Sequence, residues 1–407
     1  MEQNVQKPTK IFGLSRNVVS MGVVSFLNDL SSDMVFPFIP IFLTSVLGAT
    51  ATFVGLVEGV ADATASILKI ISGRLSDKVR RRKPFVVFGY SLSALAKPIL
   101  AVAVAPWHVL AVRFLDRVGK GTRDAPRDAL LSFSTDKKDV GRAFGFHRTA
   151  DTLGAAAGPL LAFLLLPLIG NNLRTLFLLS FVASFFAVLI LKLTVREVGN
   201  HVEQTERPKF EFKYLGLPFV VFLIAATIFS LGRASEAFLL LRAQNVGVAL
   251  ALLPIIYFVY NITLAIFSTP AGMLSDKIGH RNTFMIGMLI FAATYFLFAG
   301  VSSVSTVWLL FAMYGLAAAF IEGVGRAIVA DLVEEKWRAT AYGMYNAFTG
   351  FALLPASLVF GFLWDKFGPA VSFQYGAILG VVAFIIFLFL RMKNSHHEGV
   401  DTRQESV

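Results

Sequence analysis

The stretch Gly73-Arg-Leu-Ser-Asp77-Lys-Val, followed by Arg80, Arg81, Arg82 and Lys83, returns 199 residues later as Gly272-Met-Leu-Ser-Asp276-Lys-Ile, followed by Gly279 and Arg281. Arg142-Ala-Phe-Gly145 likewise matches Thr340-Ala-Tyr-Gly343 at an offset of 198. Two independent matches near one offset, about half of the 407 residues, mark an internal repeat. Each copy of the first stretch is a short charged loop between long apolar runs. Working outward from those loops predicts twelve helices, near 17–45, 52–74, 84–104, 107–132, 141–167, 174–193, 216–241, 249–273, 283–300, 304–333, 339–364 and 370–391. The runs are continuous and lack ten-residue alternation, so they read as helices and not barrel strands.

Composition agrees. Hydrophobic residues make up 56% of the chain and charged residues 15%, with a mean hydropathy of +0.69. Soluble domains carry about 25% charged residues, so this chain cannot cover a water-facing surface. Twelve spans of about 20 residues would use roughly 240 residues, close to the apolar content. A secreted or cytosolic enzyme and a disordered chain are both excluded. The expectation is an all-α membrane protein with two pseudo-symmetric six-helix bundles at 1–193 and 216–391, a cytoplasmic linker at 194–215 and a polar tail at 392–407.

The net charge of +11 suggests nucleic acid until the positions of the charges are read. Loops after helices 2, 4, 6, 8 and 10 carry the charges, whereas Leu47-Gly48-Ala49-Thr50 and Val301-Ser302-Ser303 carry none. That alternation is the positive-inside rule, and it predicts a cytoplasmic (inner) membrane protein with both termini cytoplasmic and no nucleic-acid partner. The absence of Cys removes disulfides, thiolate metal sites and Cys catalysis. Lys7, Lys10 and Arg16 precede an apolar run too long for a signal peptide, so that run is read as the first span.

The second charged loop fits G-x-L-x-D-[RK]-x-G-x-[RK] throughout and the first at every position but one, a pattern that resembles motif A of the major facilitator superfamily. The resemblance covers essentially the whole chain. It implies that Gly73, Asp77 and Arg81, with Gly272, Asp276 and Arg281, latch the cytoplasmic side in an outward-facing state. Arg80 stands where the family usually has Gly, which Gly279 keeps. In helix 5, Gly154-Ala-Ala-Ala-Gly158-Pro159 puts small residues four apart on a face suited to close packing, with Pro bending the helix. It resembles motif C, which in that family marks proton-driven antiporters. Helix 4 begins Arg113-Phe-Leu-Asp116-Arg117 and resembles motif B, from which Arg113 inherits a part in proton transfer; Asp116 and Arg117 replace the family's Gln and Gly.

The remaining candidates come from the residues themselves. A carboxylate near mid-membrane costs at least ~2.5 kcal/mol, so it faces a cavity or a partner. Asp29 and Asp33 in helix 1, Glu58 and Asp62 in helix 2, and His147 and Asp151 in helix 5 join Arg113 and Asp116 as the set expected to couple to protons. The alternative for any one of them is a structural ion pair. A substrate cavity is expected from Phe36, Arg117, Arg233, Glu236, Tyr257, Asn261, Glu322 and Arg326. The histidines show no ligand spacing, and Gly119-Lys-Gly121-Thr lacks the P-loop spacing. No metal, cofactor or catalysis is therefore expected. The function expected is proton-coupled antiport, exporting a small organic molecule by alternating access. The alternative is a symporter taking up a nutrient, siderophore or organic anion. The expected partners are the substrate, protons and the bilayer, with the chain acting as a monomer.

Overall fold

The computed structural model describes residues 10–11, 14–135, 139–198, 215–334 and 337–389. Among them lie twelve long helical segments: α1 (Arg16–Val46), α2 (Ala51–Val79), α3 (Lys83–Ala101), α4 (Pro106–Phe133), α5 (Val140–Leu168) and α6 (Leu173–Thr194), then α7 (Gly216–Val246), α8 (Leu250–Ile278), α9 (His280–Gly300), α10 (Val304–Leu332), α11 (Arg338–Phe367) and α12 (Pro369–Leu388). A two-stranded ribbon, Lys10–Ile11 with Leu14–Ser15, precedes α1. Ten of the helices are long and apolar enough to cross a membrane. The other two, α2 and α4, have 29 and 28 residues but carry Glu58 and Asp62, and Arg113, Asp116, Arg117 and Lys120, along their middles. These two spans are polar because they line the cavity described below.

The repeat read in the sequence appears as repeated packing. In the first bundle α1 packs on α5 and α6, α2 on α4, and α3 on α4 and α6. In the second, α7 packs on α11 and α12, α8 on α10, and α9 on α10 and α12. Adding six to each label of the first set generates the second.

Two helices are interrupted where they meet the cavity. Pro37 and Pro40 remove backbone donors from α1, which passes through a tight turn at Phe36–Phe38 and a wider one at Phe42–Val46. The sequence predicted α7 as continuous. The structure breaks it after Gly232, and it resumes at Glu236 with the Ser235 hydroxyl accepting from the Ala237 N–H. Such breaks are tolerated in a membrane only where protein or a cavity surrounds the freed backbone.

The tail lies outside the described residues, as does the linker apart from 194–198 and Leu215. Arg196 N–H donates to Asn17 Oδ1 and its carbonyl accepts from Asn17 Nδ2, both at 2.9 Å. Glu197 accepts from the Arg82 and Lys83 N–H groups at the start of α3. Residues 195–198 are thus tied to the first bundle.

The bundles meet along α2 and α11. A Cβ on Gly55 would strike the Ser357 carbonyl, one on Gly59 would strike Leu354, and one on Gly361 the Ala51 carbonyl. Asp365 of α11 accepts from Ala51 N–H at 2.9 Å and from Thr52 N–H at 2.8 Å, at the first turn of α2. These contacts lie at the end of the molecule away from the repeated basic loops.

Candidate functional site

Between the bundles lies a cavity of about 290 Å³ with six carboxylates and four cations on its wall. The carboxylates are Asp29, Asp33, Glu58, Asp62, Asp116 and Glu236, and the cations Arg113, Arg117, Lys120 and Arg123. Phe36, Tyr257, Asn28, Ser32 and Ser235 complete it. The cations fall on one face of α4, at helical spacing. Gly121 of α4 lies against Ala65 of α2, while Gly119 lies against Gly89 and Ser93 of α3. This close packing on both sides turns the charged face inward.

The most buried pair is Arg113 with Glu58, 5% and 1% exposed. Arg113 donates from Nε to Oε1 at 3.2 Å and from Nη2 to Oε2 at 2.6 Å, a two-point fork. It also approaches Asp116 at 3.7 Å and lies 5.6 Å from the centre of the Phe36 ring. Asp29 accepts from Asn28 Nδ2 at 3.0 Å. Further along α4, Arg123 donates to Ser93 Oγ at 2.8 Å and lies 4.3 Å from the Tyr90 ring centre.

Motif C packs directly on the acidic segment of α1. A Cβ on Gly158 would come within 2.6 Å of the Leu30 carbonyl and 2.8 Å of the Met34 nitrogen, and one on Gly154 would strike the Phe26 carbonyl. The small face of α5 therefore sets where Asp29 and Asp33 stand.

In the second bundle Arg233 bridges Glu236 at 3.3 Å and Glu322 at 3.1 Å, and its Nε donates to the Tyr314 hydroxyl. Tyr314 in turn donates to Glu236 at 3.2 Å. A chain of rings, Phe36, Tyr257, Tyr260 and Tyr314, runs from α1 into this bundle with centres 5.2–5.7 Å apart.

Of the set expected to handle protons, the structure brings Asp29, Asp33, Glu58, Asp62, Arg113 and Asp116 together at the cavity. His147 and Asp151 pair with each other at 3.5 Å on α5 and do not line it. Of the expected substrate residues, Phe36, Arg117, Glu236 and Tyr257 line the cavity. Arg233 reaches it through Glu236, and Glu322 pairs with Arg233 behind it. Asn261 spends its amide on the Tyr257 carbonyl of its own helix, and Arg326 is exposed away from the wall.

In both gate motifs the side chains engage partners within their own half. Arg82, 5% exposed, is the cation that reaches Asp77, at 3.1 Å, while Arg81 is exposed. The repeat's own register agrees, since Arg82 is the residue 199 before Arg281. Arg281 donates to the Leu388 carbonyl and does not pair with Asp276, which faces His280 at 3.7 Å. Asp77 and Asp276 are 61% and 77% exposed, each with its ion-pair partner in its own half. Arg80, the non-glycine at the turn, adopts φ 56° and so forms the left-handed turn that Gly would favour.

Sequence reasoning missed Lys97, Lys120 and Ser93. Lys97, 5% exposed, donates to the Ser93 carbonyl at 3.3 Å and lines a smaller cavity of about 40 Å³ beside Arg113 and Asp116. A lone Lys inside the apolar run of α3 was the available signal.

Paired six-helix repeats around one central cavity, with broken helices at its wall, define the class of secondary transporters. The Major Facilitator Superfamily profile matches residues 21–242 and 222–406, one match to each half. The chain belongs to that superfamily. It is 38% identical to an uncharacterized MFS-type transporter of Methanocaldococcus jannaschii over 96% of this chain and 98% of that one. It is 25% identical to the multidrug resistance protein MdtH of Salmonella paratyphi B, over 89% and 90% of the two chains. Its fold is similar to that of the nucleoside transporter NupG, with a TM-score of 0.78 at 17% identity, covering 92% of this chain and 99% of that one.

Proposed function

We propose that this protein exports a small organic molecule in exchange for protons, from a cytoplasmic membrane in which both termini face the cytoplasm. One observation carries the reading: the small-residue face of α5 packs straight onto the α1 turn bearing Asp29 and Asp33, so motif C and the acidic set form one unit. The similarity to a multidrug resistance protein supports the direction. With the bundles joined at the far end and neither loop Asp paired across them, the structure is read as inward-facing. Substrate enters from the cytoplasm and the bundles rock. A proton from outside then protonates a carboxylate of α1 or α2, and substrate leaves. Return and inward release of the proton reset the site. Coupling requires only that proton and substrate weaken each other's binding differently in the two states.

The test uses a pH-sensitive dye in acid-loaded inside-out vesicles. A compound that dissipates the gradient only when the protein is present supports antiport. Compounds that instead accumulate in whole cells together with protons replace this reading with uptake.

A further inference from the structure

We propose that the substrate is a small zwitterion, its ammonium held by Asp33 and Asp62 and its anionic group by Arg117 and Lys120. For direction of transport this rests on the export reading; for charge it rests on the cavity alone. Most charges on the wall are already satisfied: Glu58 and Asp116 by Arg113, Glu236 by Arg233 and Tyr314, and Asp29 by Asn28. Four are not. Among the described residues, the side chains of Asp33, Asp62, Arg117 and Lys120 have no ion pair within 4.0 Å and no hydrogen bond, and Arg117 Nε is buried without a partner. These four side chains stand on three helices, α1, α2 and α4.

Unpaired charge away from water is costly. A monocation would leave the two basic groups unsatisfied, and a monoanion the two carboxylates; a zwitterion satisfies both. The Phe36 and Tyr257 rings, 5.2 Å apart, supply an apolar wall for its body. Proton and ammonium then compete for the same carboxylates, while the anionic contact is indifferent to the proton.

The experiment uses proteoliposomes with an acidic lumen and a dye. The panel is the amino acids and a set of dipeptides, each with its matching amine and matching acid. The expected result is proton movement with particular zwitterions and at least tenfold weaker responses to their amines and acids. Arg117→Gln and Lys120→Gln should cut that zwitterion-over-amine preference about tenfold. Amines acting as well as zwitterions, or acids alone acting, overturn the proposal while leaving antiport standing. Zwitterions moving in the same direction as protons keep the proposal and overturn the export reading. Silence across the panel overturns the proposal for compounds of this size.

A separate contact carries a second inference. Gly361-Phe-Leu-Trp-Asp365-Lys-Phe-Gly368 repeats the G-x-x-x-D-K-x-G of Gly272–Gly279, at the opposite end of the molecule. Here the Asp is engaged across the bundles: Oδ1 accepts from Ala51 N–H, and Oδ2 from Thr52 N–H and the Thr52 hydroxyl. A carboxylate on the positive start of a helix is favourable, and Gly361 lets the backbones meet. We infer that this third copy latches the closed end and must release before the cavity opens there. The chain has no Cys, so paired labels are simple to place. With spin labels at Val104→Cys and Ser302→Cys, Asp365→Asn should raise the open-to-closed ratio at that end about tenfold, and Asp365→Glu should restore part of it. A folded Asp365→Asn protein with an unchanged distance distribution would overturn the latch.

Discussion

The two bundles share one packing plan but face the cavity with different chemistry. The first contributes nine of the ten charged side chains on the wall and the second only Glu236. In the second bundle Arg233 closes on Glu236, Glu322 and Tyr314, backed by tilted tyrosine rings. An internal repeat can thus keep its helix contacts while its cavity-facing side chains diverge. In the account proposed above, the first bundle holds charges free to change partners and the second supplies a fixed wall.

The largest effect should come from Arg113→Gln, which leaves Glu58 buried and unpaired. It should cost about 3–5 kcal/mol in unfolding measurements, and the double variant with Glu58→Gln should regain most of that without regaining transport. Arg233→Gln sharpens the contrast. Its partners Glu236 and Glu322 are 24% and 42% exposed, so the loss should be about 1 kcal/mol or less.

Gly158→Leu should lower exchange about tenfold, since overpacking costs about 1–3 kcal/mol and here displaces α1 with its carboxylates. Gly145→Leu, on the same helix but with nothing within 4 Å of its Cβ position, should transport like the parent. Equal losses in both would separate motif C from the acidic set.

Tyr314→Phe should cost about 1 kcal/mol and leave proton coupling intact. The smallest effect should be Arg80→Gly, which relieves a left-handed Arg and should stabilise the protein by about 1 kcal/mol in thermal unfolding.

Much of this was legible in the sequence. The repeat offset and twelve apolar runs gave the architecture, because a membrane leaves helices few alternatives. The carboxylates of α1 and α2 were legible for the same reason: charge inside an apolar run needs a cause. What escaped were features set by distance between helices. Arg82 against Asp77, the isolation of His147 and Asp151 from the cavity, and the Asp365 contact with α2 depend on which faces meet. The break in α7 at Arg233–Ser235 follows Gly232, whose close packing on Leu379 and Gly376 is an equally good reason for a Gly there, and it is Ser235 capping the next turn that holds it.

The claim that matters most is that the proton is carried in the first bundle. The direct measurement is the ratio of protons to substrate moved in proteoliposomes by Asp33→Asn, Asp62→Asn and Glu236→Gln, with substrate counterflow recorded alongside. The account predicts that one or both Asp variants lose proton movement while counterflow persists at raised substrate concentration, since the remaining carboxylate with Arg117 and Lys120 still holds the substrate; Glu236→Gln keeps the parent ratio. Loss of proton movement in Glu236→Gln, with both Asp variants at the parent ratio, would contradict it.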